Sequence, residues 1–123
     1  MDENLSSPLD YMKTLYSVNG LELTSELTKY ANSKTAHLAK QVPRRLRGAA
    51  TCKVVFSQAG EDSDKMSTCN IILTLGQTTL EADETTQHMY AALDIAIVHI
   101  EQQVAAYARS HRHRLLRRHK TVE

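Results

Sequence analysis

From Ala50 to Ser57 apolar residues recur at every second position: Ala50, Cys52, Val54 and Phe56 alternate with Thr51, Lys53, Val55 and Ser57. A period of two puts each set on its own face of a strand, so this stretch predicts a half-buried strand. The pattern returns from Ser67 to Leu75, with Cys69, Ile71, Leu73 and Leu75 on the apolar side. The polar run QAGEDSDK between them predicts a hairpin closed by a loose acidic loop. A Gly76-Gln77 turn then starts a short strand over Thr78 to Asp83, with Leu80 and Ala82 pointing inward. Upstream, Met12 to Val18 alternates more loosely, with Met12, Tyr16 and Val18 opposite Lys13 and Ser17, and Asn19-Gly20 ends that strand.

Two stretches carry the helical period instead. Thr24 predicts an N-cap for a helix running to about Gln41, whose apolar side is Leu27, Tyr30, Ala31 and Leu38. Pro43 stops it, because the residue before a proline is driven out of the helical region. An arginine-rich loop, PRRLRG, follows. The second helix shows an apolar ladder of Met89, Leu93, Ile97, Ile100 and Val104, flanked by Tyr90 and Ala96. The run Asp83, Glu84, Thr85, Thr86 reads as its cap, predicting a helix from about Thr85 to at least Tyr107. The order β-α-β-β-β-α predicts an α+β fold, a four-stranded sheet whose apolar face lies beneath two helices.

At 123 residues one domain is expected. It is placed at residues 12–108, between a polar N-terminal extension (1–11) and a basic C-terminal extension of the last helix (109–123). No apolar run approaches the roughly 20 residues a membrane helix needs. The opening MDENLSSPLD resembles neither a secretory signal nor an Arg-rich transit peptide. Cys52 and Cys69 lack metal-type spacing and fall on the apolar sides of neighbouring strands. They are expected to be reduced packing residues of a cytoplasmic protein.

The net charge of +1 conceals a block structure. Residues 1–26 hold five acids and one lysine. Residues 27–60 hold no acid but seven cations, residues 61–101 hold eight acids and one lysine, and residues 102–120 hold no acid and six cations. Such segregation implies that folding gathers like charges onto a surface meant for a polyanion, provided the two helices lie side by side. A few cations at a helix C-terminus serve the macrodipole, but the six at the chain's end exceed that need. Catalysis has little support: there is no glycine-rich phosphate loop, nucleophile elbow or HExxH helix. His99, His111, His113 and His119 do not suggest a metal, because a strongly cationic tail repels a cation and no cysteine or carboxylate completes a tail site. Neither a cofactor nor a small-molecule substrate is expected.

The element order, the NGLELTSEL entry to the first helix and above all ADETTQHMYAALD resemble the ribosome hibernation-promoting factor family, also called ribosome-associated inhibitor or sigma-54 modulation proteins. That family carries a run very like AxExxxDMYAAID. Ala82, Glu84, Met89, Tyr90, Ala91, Ala92 and Asp94 match it, His88 replaces an acid and Leu93 replaces isoleucine. The resemblance covers about residues 12–118 and implies a non-enzymatic protein, monomeric when free, that occupies the decoding region of the small ribosomal subunit. There it would exclude messenger and transfer RNA and silence idle ribosomes. By position it implies ribosomal RNA contacts from Lys29, Lys34, Lys40 and Arg44 around the first helix, and from Arg109, Arg112, Arg114, Arg117 and Arg118 at the end of the second. Arg45, Arg47 and Lys120, in the same basic loop and tail, complete the candidate set. The chain is expected to act without the additional domain through which long members dimerise ribosomes, and its tail is richer in Arg and His than the usual Lys-rich end. The MYAALD run itself is expected to be structural, with Tyr90 fixing the helix on the sheet. Two alternatives stay open: a double-stranded-RNA-binding module acting off the ribosome, and a protein-interaction module with an acidic partner.

Overall fold

The computed structural model describes residues 12–61 and 64–122, of which 111–122 are described by their backbone alone. The expected N-terminal extension, 1–11, lies outside the described residues. Strand β1 (Lys13–Asn19) is followed by helix α1 (Ser25–Gln41), a one-turn helix α2 (Arg44–Arg47), strands β2 (Ala50–Ala59), β3 (Met66–Leu75) and β4 (Thr78–Thr86), and the long helix α3 (Met89–Val122). The sheet order is β1-β2-β3-β4, with β1 parallel to β2 and the other pairs antiparallel. This is the expected α+β architecture, with the helices on one face of a mixed sheet.

The alternation read from the sequence sets that face. Cys52, Val54 and Phe56 of β2 and Cys69, Ile71 and Leu73 of β3 are fully buried. In register, Phe56 lies opposite Cys69 and Cys52 opposite Leu73, so both thiols point into the same core. Burial pushes each thiol up to about 12, which leaves them inert packing groups. Leu27, Ala31 and Leu38 of α1 and Leu93, Ala96, Ile100 and Val104 of α3 close the core from above. Tyr16 ties β1 to α1: its ring stacks on Phe56 and its hydroxyl donates to Asn32 Oδ1 at 2.6 Å.

α1 begins where its sequence predicts, with Thr24 Oγ1 accepting from the Leu27 amide at 3.1 Å. It ends at Gln41, where Val42 turns extended ahead of Pro43. The start of α3 differs from expectation. Thr78–Thr86 is one continuous strand, Asp83 to Thr86 pairing with Asn70 to Ser67 of β3, so the cap-like run belongs to the sheet. The helix starts at Met89, and its entry is made by Thr86, whose hydroxyl accepts from the His88 amide at 3.0 Å. The His88 carbonyl then accepts the first helical bond, from the Ala92 amide. PRRLRG also differs, because Arg44–Arg47 forms a helical turn rather than an open loop. Leu46 packs that turn against the core.

Candidate nucleic-acid interface

The β1-α1-β2 crossover returns α1 against the direction of its strands, and the turn after β4 returns α3 in the same sense. The two helices therefore run parallel, as their cross-contacts record: Tyr30 and Lys34 reach Asp94, and one helical turn on His37 reaches Glu101. Parallel helices point their C-terminal ends the same way, and α3, twice as long, runs on past the end of α1. Lys40, the cationic turn α2 and Arg109 lie towards one pole of the molecule, where α1 ends, β2 begins and the Gly76-Gln77 turn closes. Glu22, Glu26, Glu61 and Asp64 lie towards the opposite pole, by the start of α1 and the β2-β3 loop. The charge blocks of the linear sequence thus become a polarity along the helix axes, in which the negative dipole end of α1 is also surrounded by cations.

Of the twelve candidate RNA-binding residues, Lys29, Lys40, Arg45 and Arg109 are exposed and make no ion pair among the described residues. Lys29 and Lys40 are eleven positions apart, on one solvent-facing stripe of α1 with Ser33 and Ala36. Arg44 is exposed at the start of α2. Arg47 is turned back: its Nε donates to Val42 O and its guanidinium NH2 to Lys40 O, each at 3.0 Å. It caps α1, holding carbonyls that no further turn of helix would satisfy. Arg112, Arg114, Arg117, Arg118 and Lys120 stand on the helical backbone of α3 beyond Val104, the last fully buried residue of the helix among the described residues. Their side chains lie outside the described residues.

Lys34 is engaged between the helices. Its ammonium lies 3.3 Å from Asp94 Oδ1 and 5.2 Å from the centre of the Tyr30 ring. The hydrogen bond and charge of Asp94 raise its pKa. The Tyr30 hydroxyl donates to the same carboxylate oxygen at 2.7 Å, and that bond raises the phenol's pKa as well. His37 Nδ1 lies 2.9 Å from Glu101 Oε2, with the Gln41 amide 3.1 Å from the same ring nitrogen. The Lys34–Asp94 and His37–Glu101 pairs line a shallow groove of about 580 Å³, together with Ile97 and Val98. The cations of the two helices consequently do not merge along their whole length: Asp94 and Glu101 divide them along the seam, and they converge only at the pole. The stripe 30, 34, 37, 41 has helical spacing and could have shown that α1 turns a polar edge to a neighbour. The acids that answer it sit in another segment, so their pairing needed the fold.

Elsewhere on α3, His99 Nδ1 lies 2.7 Å from Glu84 Oε2 and Gln103 donates to the Glu81 carbonyl at 2.8 Å, fastening the helix to β4. Among the described residues no cluster of histidine, cysteine, aspartate or glutamate could hold a metal ion. No helix there is long and apolar enough to cross a membrane. Tyr90 does not rest on the sheet as its sequence position suggests. It packs edge-to-face on Tyr30, with ring centres 4.9 Å apart, and stays 42% exposed.

The profile of the sigma 54 modulation protein / S30EA ribosomal protein family matches residues 16–112, from β1 into the basic part of α3. The chain belongs to this family. It is therefore a ribosome-associated modulation factor, as ADETTQHMYAALD leads one to expect. Among solved structures it is similar to the N-terminal domain of Protein Y from Thermus thermophilus, at 25% identity and a TM-score of 0.62, over 79% of this chain and 98% of that one. A ribosomal subunit interface protein from Coxiella burnetii shares the fold at 12% identity and a TM-score of 0.60, over 77% of this chain and 97% of that one. No curated protein matches the chain.

Proposed function

We propose that this family member silences translation by occupying the decoding region of the small ribosomal subunit, where messenger RNA and transfer RNA anticodons would otherwise lie. The observation that carries the reading is the cationic pole. Parallel α1 and α3 deliver Lys40, Arg44, Arg45 and Arg109 to one end, and α3 continues as helix through five further basic residues. Phosphates supply the affinity, and arginine suits their bidentate geometry. The action is steric, by a monomer that uses no cofactor and works in the cytoplasm. Membership of the chain in a ribosome-associated family supports the same partner, and so does its likeness in fold to the ribosomal subunit interface protein of Coxiella burnetii.

Sucrose-gradient sedimentation with purified small subunits tests it. The protein is expected to co-sediment at low salt, to dissociate at high salt, and to be displaced by messenger RNA with bound transfer RNA. Changing Arg112, Arg114, Arg117 and Arg118 together to Gln should weaken binding and flatten its salt dependence, because each lost phosphate contact removes close to one unit of slope or less. Protein that stays at the top of a low-salt gradient, or that binds double-stranded RNA as tightly as subunits, would sink the reading.

A further inference from the structure

Tyr90 is the second residue of α3, and its neighbours Met89, Ala92 and Leu93 are buried while its own ring stays in solvent. The ring is nonetheless held in place. It meets Tyr30 at 4.9 Å and 74°, Tyr30 is hydrogen-bonded to Asp94, and Asp94 also holds Lys34, whose ammonium covers the Tyr30 ring. Among the described residues the Tyr90 hydroxyl bonds to nothing. The nearby carboxylate of Asp94 is answered by both Lys34 and Tyr30, and the first turn of α3 contains no acid. The cation in this set of contacts, Lys34, lies over the same Tyr30 ring that Tyr90 meets.

We infer that Tyr90 is a stacking platform for one unpaired nucleobase of the RNA this protein binds, with Lys34, which lies against the same Tyr30 ring, for the adjoining phosphate. The inference rests on the RNA reading above and adds to it a contact that no charge pattern reveals. Sequence-tolerant recognition of single-stranded RNA joins a cation that follows the backbone to an aromatic face that receives a base. A ring already fixed by a neighbour gives up little further freedom when the base arrives. The proposed site stands near the start of α3, away from the cationic pole, so the RNA is engaged at both ends of the inter-helix seam.

The test uses the full chain and purified small ribosomal subunits. Tyr90→Leu should weaken binding by roughly 5- to 150-fold, the worth of one base-aromatic stack. Tyr90→Phe should stay within about twofold of the parent, because the stack needs the ring and not the hydroxyl. The salt slope should be unchanged in both, because neither removes a phosphate contact. Ultraviolet crosslinking of the parent complex, read by mass spectrometry, should place a nucleotide adduct on Tyr90. The inference is overturned if Tyr90→Leu binds within twofold of the parent, if its loss of affinity only follows a lowered melting temperature, or if Tyr90 carries no adduct. A parent protein that fails to bind subunits overturns the RNA reading itself, and this inference with it.

Discussion

Arg45 and Arg47 stand two residues apart in one turn of helix, yet their side chains do different work. Arg45 is exposed with no ion pair among the described residues, while Arg47 donates to Val42 O and Lys40 O and closes the end of α1. Arg47→Ala should lower stability by about 1–2 kcal/mol, since it strips charged donors from helix-terminal carbonyls. Arg47→Lys should rescue little, because an ammonium lacks the planar fork. Arg45→Ala should move stability by less than about 0.5 kcal/mol. Urea unfolding midpoints check all three. The sequence presents both residues as members of one basic run, because charge patterning registers a cation and not the direction in which it folds. Lys34 is ambiguous in the sequence for the same reason: its partner Asp94 lies sixty residues away on another helix.

At the scale of elements, β2 and β3 are legible because strict alternation, uninterrupted by turn residues, admits one reading. The boundary between β4 and α3 is not. Asp, Glu and Thr are favoured at helix caps, but alternation across Ala82, Glu84 and Thr86 continues a strand equally well. The ladder to β3 decides for the strand, with Ser67 opposite Thr86. That pairing between distant segments is absent from any local window. The apolar ladder of α3 behind the boundary packs as its period demands, Leu93 being fully buried in the core. Leu93→Ala should therefore cost about 2–5 kcal/mol, the usual range for a buried leucine truncated to alanine. Thermal unfolding followed by circular dichroism would show it, and an unchanged midpoint would mean that α3 is not seated as described.

At the scale of the whole molecule, the charge blocks are plain in the sequence, but the shape they make is not. Gathering them at one pole depends on the two helices being parallel, which follows from the connections rather than from any motif. The same connections let α3 pass from the core to the basic tail as one uninterrupted helix, Met89–Val122, and this has a consequence for direction along the helix as well as for reach. A continuous helix fixes rotational phase: each added residue turns everything beyond it by about 100° and advances it about 1.5 Å. Two alanines inserted after Ala108 would turn the tail to roughly the opposite azimuth, whereas four would bring it back to within about 40°. Affinity for the small subunit should then fall with two and recover in part with four, although the longer insertion carries the tail farther. A steady decline with length would instead mark the tail as a tether, indifferent to the direction in which it leaves the fold.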